Sequence, residues 1–133
     1  MSLAAADQLA ILEVITRADE AASRRDADGY VALFAPDAVL DGTQGRHAGR
    51  EELRASVGPI WAAEGPATLH LTLNPVIEPG PGSDQAVARS VLLIIDAAPP
   101  AIRTAAVITQ ELRRAAGSWL ITRRTVAPPT GLG

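Results

Sequence analysis

The hydrophobic repeat of this chain changes length once, near Ala67, and does not change back. Before that point apolar residues recur at helical spacing, as in Ile11, Ile15, Ala18 and Ala22. After it, "TLHLTLN" (68–74) alternates strictly. Leu69, Leu71 and Leu73 fall on one face, and Thr68, His70, Thr72 and Asn74 on the other. A period near 3.6 marks an amphipathic helix, and a period of 2 marks a half-buried strand. One switch between them predicts an α+β domain, with helices first and a strand meander after.

Asp7 is a suitable N-cap for a first helix running to about Arg25, with Glu13 and Arg17 paired on its wetter side. Asp26 starts a second, shorter helix through Phe34, and Pro36 stops it, because the residue before proline disfavours helical backbone. Ala38 to Asp41 reads as a short strand and is followed by a glycine-rich loop. Arg50-Glu51-Glu52 opens a third helix with its carboxylates at the positive end of the dipole. Leu53, Val57, Ile60 and Trp61 form its apolar face, and Pro59 is expected to kink it or end it early. In the strand half, Pro75 suits a bulge, and "PGPGSD" (79–84) is a turn. "QAVARSVLLIID", "IRTAAVITQELRR" and "SWLITRRTV" supply three more strands, the first with a Val91–Ile95 run that implies burial on both faces. The whole of 1–133 reads as one domain with its core over about 7–126 and a frayed tail over 127–133.

Composition narrows the chemistry. A chain of 133 residues can bury roughly two-thirds of its unfolded surface, yet it has only four aromatic residues: Tyr30, Phe34, Trp61 and Trp119. Leu, Ile, Val and Ala must build the core. A net charge of −3 and a complete lack of lysine leave no footprint for nucleic acid. Without cysteine there is no disulfide, thiolate nucleophile or zinc–sulfur site. His47 and His70 lack ligand spacing, and no phosphate-binding, dinucleotide or nucleophile-elbow motif is present, so neither metal nor cofactor is expected. No signal-peptide pattern and no 18-residue apolar run occur, so the expectation is a cytoplasmic protein with no membrane partner.

The element order, with "LFAPDAVLDG" (33–42), "GREELR" (49–54), "HLTLNPVIE" (70–78) and "GSWLITRRTV" (117–126), resembles the SnoaL-like branch of the nuclear transport factor 2 superfamily. The likeness spans about Asp7 to Val126. It implies a cystatin-like cone: three N-terminal helices packed on a curved, mainly antiparallel sheet with a pocket inside. Relatives include ketosteroid isomerases, scytalone dehydratases, limonene epoxide hydrolases and polyketide cyclases, beside non-catalytic binding proteins, so the fold alone selects no reaction. Aligned on Asp26, the isomerases' oxyanion tyrosine falls at Ala18 and their general base at Gly42, next to Asp41. The dehydratases' Tyr-Asp pair falls at Ala22 and Ser23, and one of their pocket histidines at His70.

His70 is therefore the leading candidate acid or base, since imidazole titrates near neutrality; the alternative is a histidine on a solvated strand face. If it faces inward with Thr68, Thr72 and Asn74, then Leu69, Leu71 and Leu73 lie on the sheet's outer face and need cover, which a homodimer would supply. Asp41 reads as a turn-former ending its strand, or as a second catalytic carboxylate at the pocket mouth. Ala18, Ala22, Tyr30 and Trp61 are candidate substrate contacts, though helical spacing makes core packing the ordinary reading for the two aromatics. Asp19 and Asp26 read as solvated or paired with Arg17, Arg24 or Arg25. Among the strand arginines, Arg123 or Arg124 is the best candidate for an anion contact, and His47 is expected to be exposed. Two functions fit: cofactor-independent proton transfer (isomerase, dehydratase or cyclase type) on a small, mostly apolar molecule, or a non-catalytic dimeric binding module.

Overall fold

A computed structural model describes residues 2–130. Along the chain it gives α1 (Ala5–Arg24), α2 (Ala27–Val31), β1 (Phe34–Gly42), β2 (Gly45–Ala48) and α3 (Arg50–Ala63). The strands β3 (Thr68–Pro79), β4 (Gln85–Ala97), β5 (Pro100–Ala115) and β6 (Ser118–Ala127) follow. The six strands form one curved open sheet in the order β2-β1-β6-β5-β4-β3. The expected meander is present as the antiparallel run β3 to β6. β1 joins β6 in parallel, which brings the helical half of the chain onto the sheet.

Small residues fix how closely α1 approaches the sheet. Ala18, Ala21 and Ala22 are buried beside Ile11 and Ile15, so the helix axis can sit close to the inner face. That face carries Ala86, Ala88 and Leu92 from β4, Ile108 and Leu112 from β5, and Ile121 from β6, all buried. Phe34 and Leu53 complete the core at 0% exposure, and burying such side chains contributes about 1.5–3 kcal/mol each. On β4, the even-numbered Leu92 and Ile94 are buried, whereas Val91, Leu93 and Ile95 are only half-buried on the other face of the sheet.

Several local expectations are corrected. Asp7 does not cap α1, which starts at Ala5 with Ala4 as N-cap; its carboxylate accepts instead from Trp119 Nε1 at 3.1 Å and Arg114 at 3.0 Å. The second helix ends at Val31, and Phe34 opens β1 instead, because its backbone pairs with Ile121 of β6. Pro36 is then accommodated where the β1–β6 register shifts between Phe34 and Val39. The glycine-rich loop contains a strand: Gly42 pairs with Gly45 and Leu40 with His47, forming a hairpin between the helices. Pro59 does not end α3, which continues to Ala63 because Leu53, Val57 and Trp61 bury its apolar face across the proline. The bulge expected at Pro75 is present, with the β3–β4 register shifting between Leu73 and Val76 and Asn74 at φ 54°. Residues 131–133 of the expected frayed tail lie outside the described residues. No helix among those described is long and apolar enough to cross a membrane.

Candidate functional site

A cavity of about 420 Å³ opens between the helices and the inner face of the sheet. Ala22 of α1, Tyr30 of α2, Val57, Ile60 and Trp61 of α3, and Leu92 and Ile94 of β4 give it a mostly apolar wall. The β1–β2 hairpin supplies its rim through Gly42, Thr43, Gln44 and Gly45. Set into this wall are His70 of β3, Glu64 just after α3, and Arg124 of β6.

Strand alternation turns His70 inward, where it is 7% exposed. Its backbone N–H donates to Ser23 Oγ at 2.9 Å, which ties β3 to α1. Its Nε2 lies 2.8 Å from Glu64 Oε1. That oxygen also accepts from Thr68 Oγ1 at 2.9 Å and faces Arg25 Nη1 at 3.6 Å. Arg25 is held in turn by the carbonyls of Ala22 and Gly65 and by Thr68 Oγ1. Burial acts most strongly on the Glu64 carboxyl and pushes its pKa up. The hydrogen bond and charge of His70, with Thr68 and Arg25, outweigh it and hold the group below its ordinary range. Glu64 also stands at the negative end of the α3 dipole, an unfavourable place for a carboxylate that these partners offset. An ionised carboxylate only accepts hydrogen bonds, so the short contact places a proton on His70 Nε2. In the neutral ring, Nδ1 then carries the free lone pair. A carboxylate that fixes imidazole tautomer and orientation in this way is a means of making a directed base.

Further along β3, Asp19 of α1 accepts from the Thr72 N–H at 2.8 Å and the Thr72 hydroxyl at 2.9 Å. Burial pushes its carboxyl pKa up, against the field of Arg124, the Thr72 hydrogen bonds and the field of His70. Tyr30 is likewise pushed up by burial, with Arg124 pulling the other way and Asp19 adding to the rise. Arg124 is buried, and its guanidinium carbon sits 5.7 Å from the centre of the Tyr30 ring. Among the described residues, no three His, Cys, Asp or Glu side chains converge as a metal site would require.

Of the sequence candidates, His70, Ala22, Tyr30 and Trp61 share the cavity wall. Thr68 and Thr72 lie on the same strand face as His70, but they serve Glu64, Arg25 and Asp19 and do not line the cavity. Ala18 is packed in the core, and Asn74 is exposed at the β3 bulge. Asp41 does not join His70. Its neighbours Leu40 and Gly42 line the cavity, so alternation sends its own side chain to the opposite face, where Arg123 holds it at 3.2 Å. Asp19 is half-buried against Thr72 and has no arginine ion pair among the described residues, and Asp26 caps α2 through the Gly29 N–H. His47 is half-buried, not exposed, and lines the cavity 3.8 Å from Glu52. Glu64 escaped the sequence reading; an acidic residue closing a helix, against the dipole, was the available signal.

In its architecture the chain is similar to a protein of unknown function with a cystatin-like fold from Nostoc punctiforme. The two share 27% identity with a TM-score of 0.86, over 98% of this chain and 97% of that one. A cystatin-like NTF2-like protein from Novosphingobium aromaticivorans superposes with a TM-score of 0.80 at 20% identity, over 94% and 83% of the two chains. ActVI-ORFA from Streptomyces coelicolor does so with a TM-score of 0.80 at 18% identity, over 90% and 95%. No curated protein matches the sequence. The family model for the SnoaL-like domain matches residues 4–125, and the chain therefore belongs to the SnoaL-like family.

Proposed function

We propose that this protein binds a small, mostly apolar organic molecule in its cavity and catalyses a cofactor-independent proton transfer of the isomerase, dehydratase or cyclase type. His70 Nδ1 is the base, and Glu64 positions it. The observation that carries this reading is the 2.8 Å contact from Glu64 to a buried imidazole in a mostly apolar wall. A carbon acid held there loses its proton to His70, which can return it at another carbon or to a leaving oxygen. The test is turnover on a panel of enolisable ketones and β-hydroxy ketones, followed by proton NMR in deuterium oxide. His70→Ala is expected to lower the rate on the order of 10²- to 10⁴-fold. Turnover that survives this substitution would remove His70 from the mechanism.

A non-catalytic binding module is the second reading, favoured by Asp41 pairing with Arg123 on the far side of the sheet. A small molecule that co-purifies in native mass spectra and is never turned over would support it. In either case the protein is a homodimer through the sheet's outer face. Leu69 and Leu73 are 47% and 37% exposed there, and the strand register sets Leu73, Val91 and Val107 in one row and Leu69, Ile95 and Ile102 in another. Such a broad apolar surface suits a second copy of the chain better than water.

A further inference from the structure

The proton-transfer reading leaves Arg124 unused, although it is the only buried arginine among the described residues. It is 4% exposed and lines the cavity. Among the described residues, no carboxylate reaches ion-pair distance of its guanidinium and no hydrogen bond engages it. Arg25 and Arg103, which also lie near the cavity, are paired with Glu64 and Asp96. Burying a cation without a partner is costly, so an unpaired guanidinium directed into a cavity needs a compensating group.

The protein supplies only partial compensation. The Tyr30 ring lies under the guanidinium at 5.7 Å. Asp19 contributes its field from beyond ion-pair distance, while each of its oxygens accepts a hydrogen bond from Thr72 and burial pushes its carboxyl pKa up. Gln110, directly opposite Arg124 in the β5–β6 register, is 1% exposed with neither amide atom partnered. Ser90 Oγ, on the same inner face of β4, is also unpartnered. Both lie outside the cavity lining, so Arg124 reaches the cavity with its charge balanced only by the Tyr30 face and the field of Asp19.

We infer that the ligand is an organic acid whose carboxylate seats on Arg124 while its apolar body rests on Leu40, Val57, Trp61, Leu92 and Val126. The planar fork of arginine matches a carboxylate bidentately. One guanidinium balances one negative charge, which favours a carboxylate over a dianionic phosphate. The cavity volume suits a small ring system. The inference deepens the proposed function by naming the substrate class, but its test reads occupancy and is independent of turnover.

Isothermal titration of the full chain with 2-naphthoate and with 2-naphthamide isolates the charge, since the two probes share one apolar body. The carboxylate is expected to bind at least about tenfold more tightly to the wild type. Arg124→Gln is expected to abolish that preference while leaving naphthamide affinity within about threefold, and Arg124→Lys to retain part of it. The wild-type comparison and the lysine variant keep the test decisive even where the glutamine variant does not fold. Failure of naphthoate to bind, equal affinity for both probes, or a preference that persists in a folded Arg124→Gln protein would overturn the inference.

Discussion

Replacing Glu64 by alanine separates the His70 arrangement from the rest of the fold. The substitution leaves the His70 Nε2–H without an acceptor in a site where the ring is 7% exposed. It also removes the acceptor of the Thr68 hydroxyl, which keeps its contact with Arg25. An orphaned buried donor costs about 1–3 kcal/mol, so about 2 for the imidazole and about 1 for the hydroxyl give a loss of roughly 3 kcal/mol. For a chain of this length that is a fall of roughly 12 °C in the midpoint of thermal unfolding. Glu64→Gln retains an acceptor and should lose only about 1 kcal/mol. The pH dependence follows from the lowered Glu64 pKa. A carboxyl whose folded value lies below its ordinary 4.5 adds stability that is fully present above the unfolded value. That stability is lost as pH falls through the folded value, so the gap between wild type and Glu64→Gln should be level near neutrality and close below about pH 4.5. Circular dichroism melts and urea titrations from pH 3 to 7 measure both effects. A Glu64→Ala protein as stable as wild type, or a gap unchanged at pH 3, would refute the reasoning.

Asp41→Asn should leave turnover and ligand affinity unchanged within about twofold, because its carboxylate pairs with Arg123 away from the cavity; steady-state kinetics and titration calorimetry measure this. Asp26→Ala removes the cap on the Gly29 N–H and should cost about 1 kcal/mol in urea unfolding, with no effect on activity. Leu69→Glu with Leu73→Glu should leave the chain monomeric in light scattering, where the wild type is expected to be dimeric, while preserving the circular dichroism spectrum. A wild-type protein that is already monomeric at high concentration would end the dimer reading.

Periodicity made the α1 stripe and the β3–β6 meander legible, because both are dictated by which face of a local segment must be buried. It failed at Phe34, where pairing with a strand nearly ninety positions later overrides the helical spacing from Tyr30. It failed at β2 for a related reason: Gly45–Ala48 is polar and gains its strand conformation only from β1. Alternation set His70 opposite three leucines, but that its face is the inner one came from the family resemblance. Asp41 went the other way because adjoining strand residues point to opposite faces, and the family's base position fell on Gly42. The same alternation implied that one of Arg123 and Arg124 faces inward. Choosing Arg124 required the register of β6, which shifts against β5 between Glu111 and Leu112. Its place at the end of α3 could have flagged Glu64, but its partner could not be read locally, since that depends on a turn through Gly65 and Pro66 folding it back onto the imidazole six residues later.

The state of the His70 ring tests the account most directly. Long-range proton–nitrogen correlation NMR at pH 8 should show one imidazole with Nε2 protonated and Nδ1 bearing the lone pair, and Glu64→Ala should mix the two tautomers. A ring protonated at Nδ1, or one whose tautomer ignores the loss of Glu64, would contradict it.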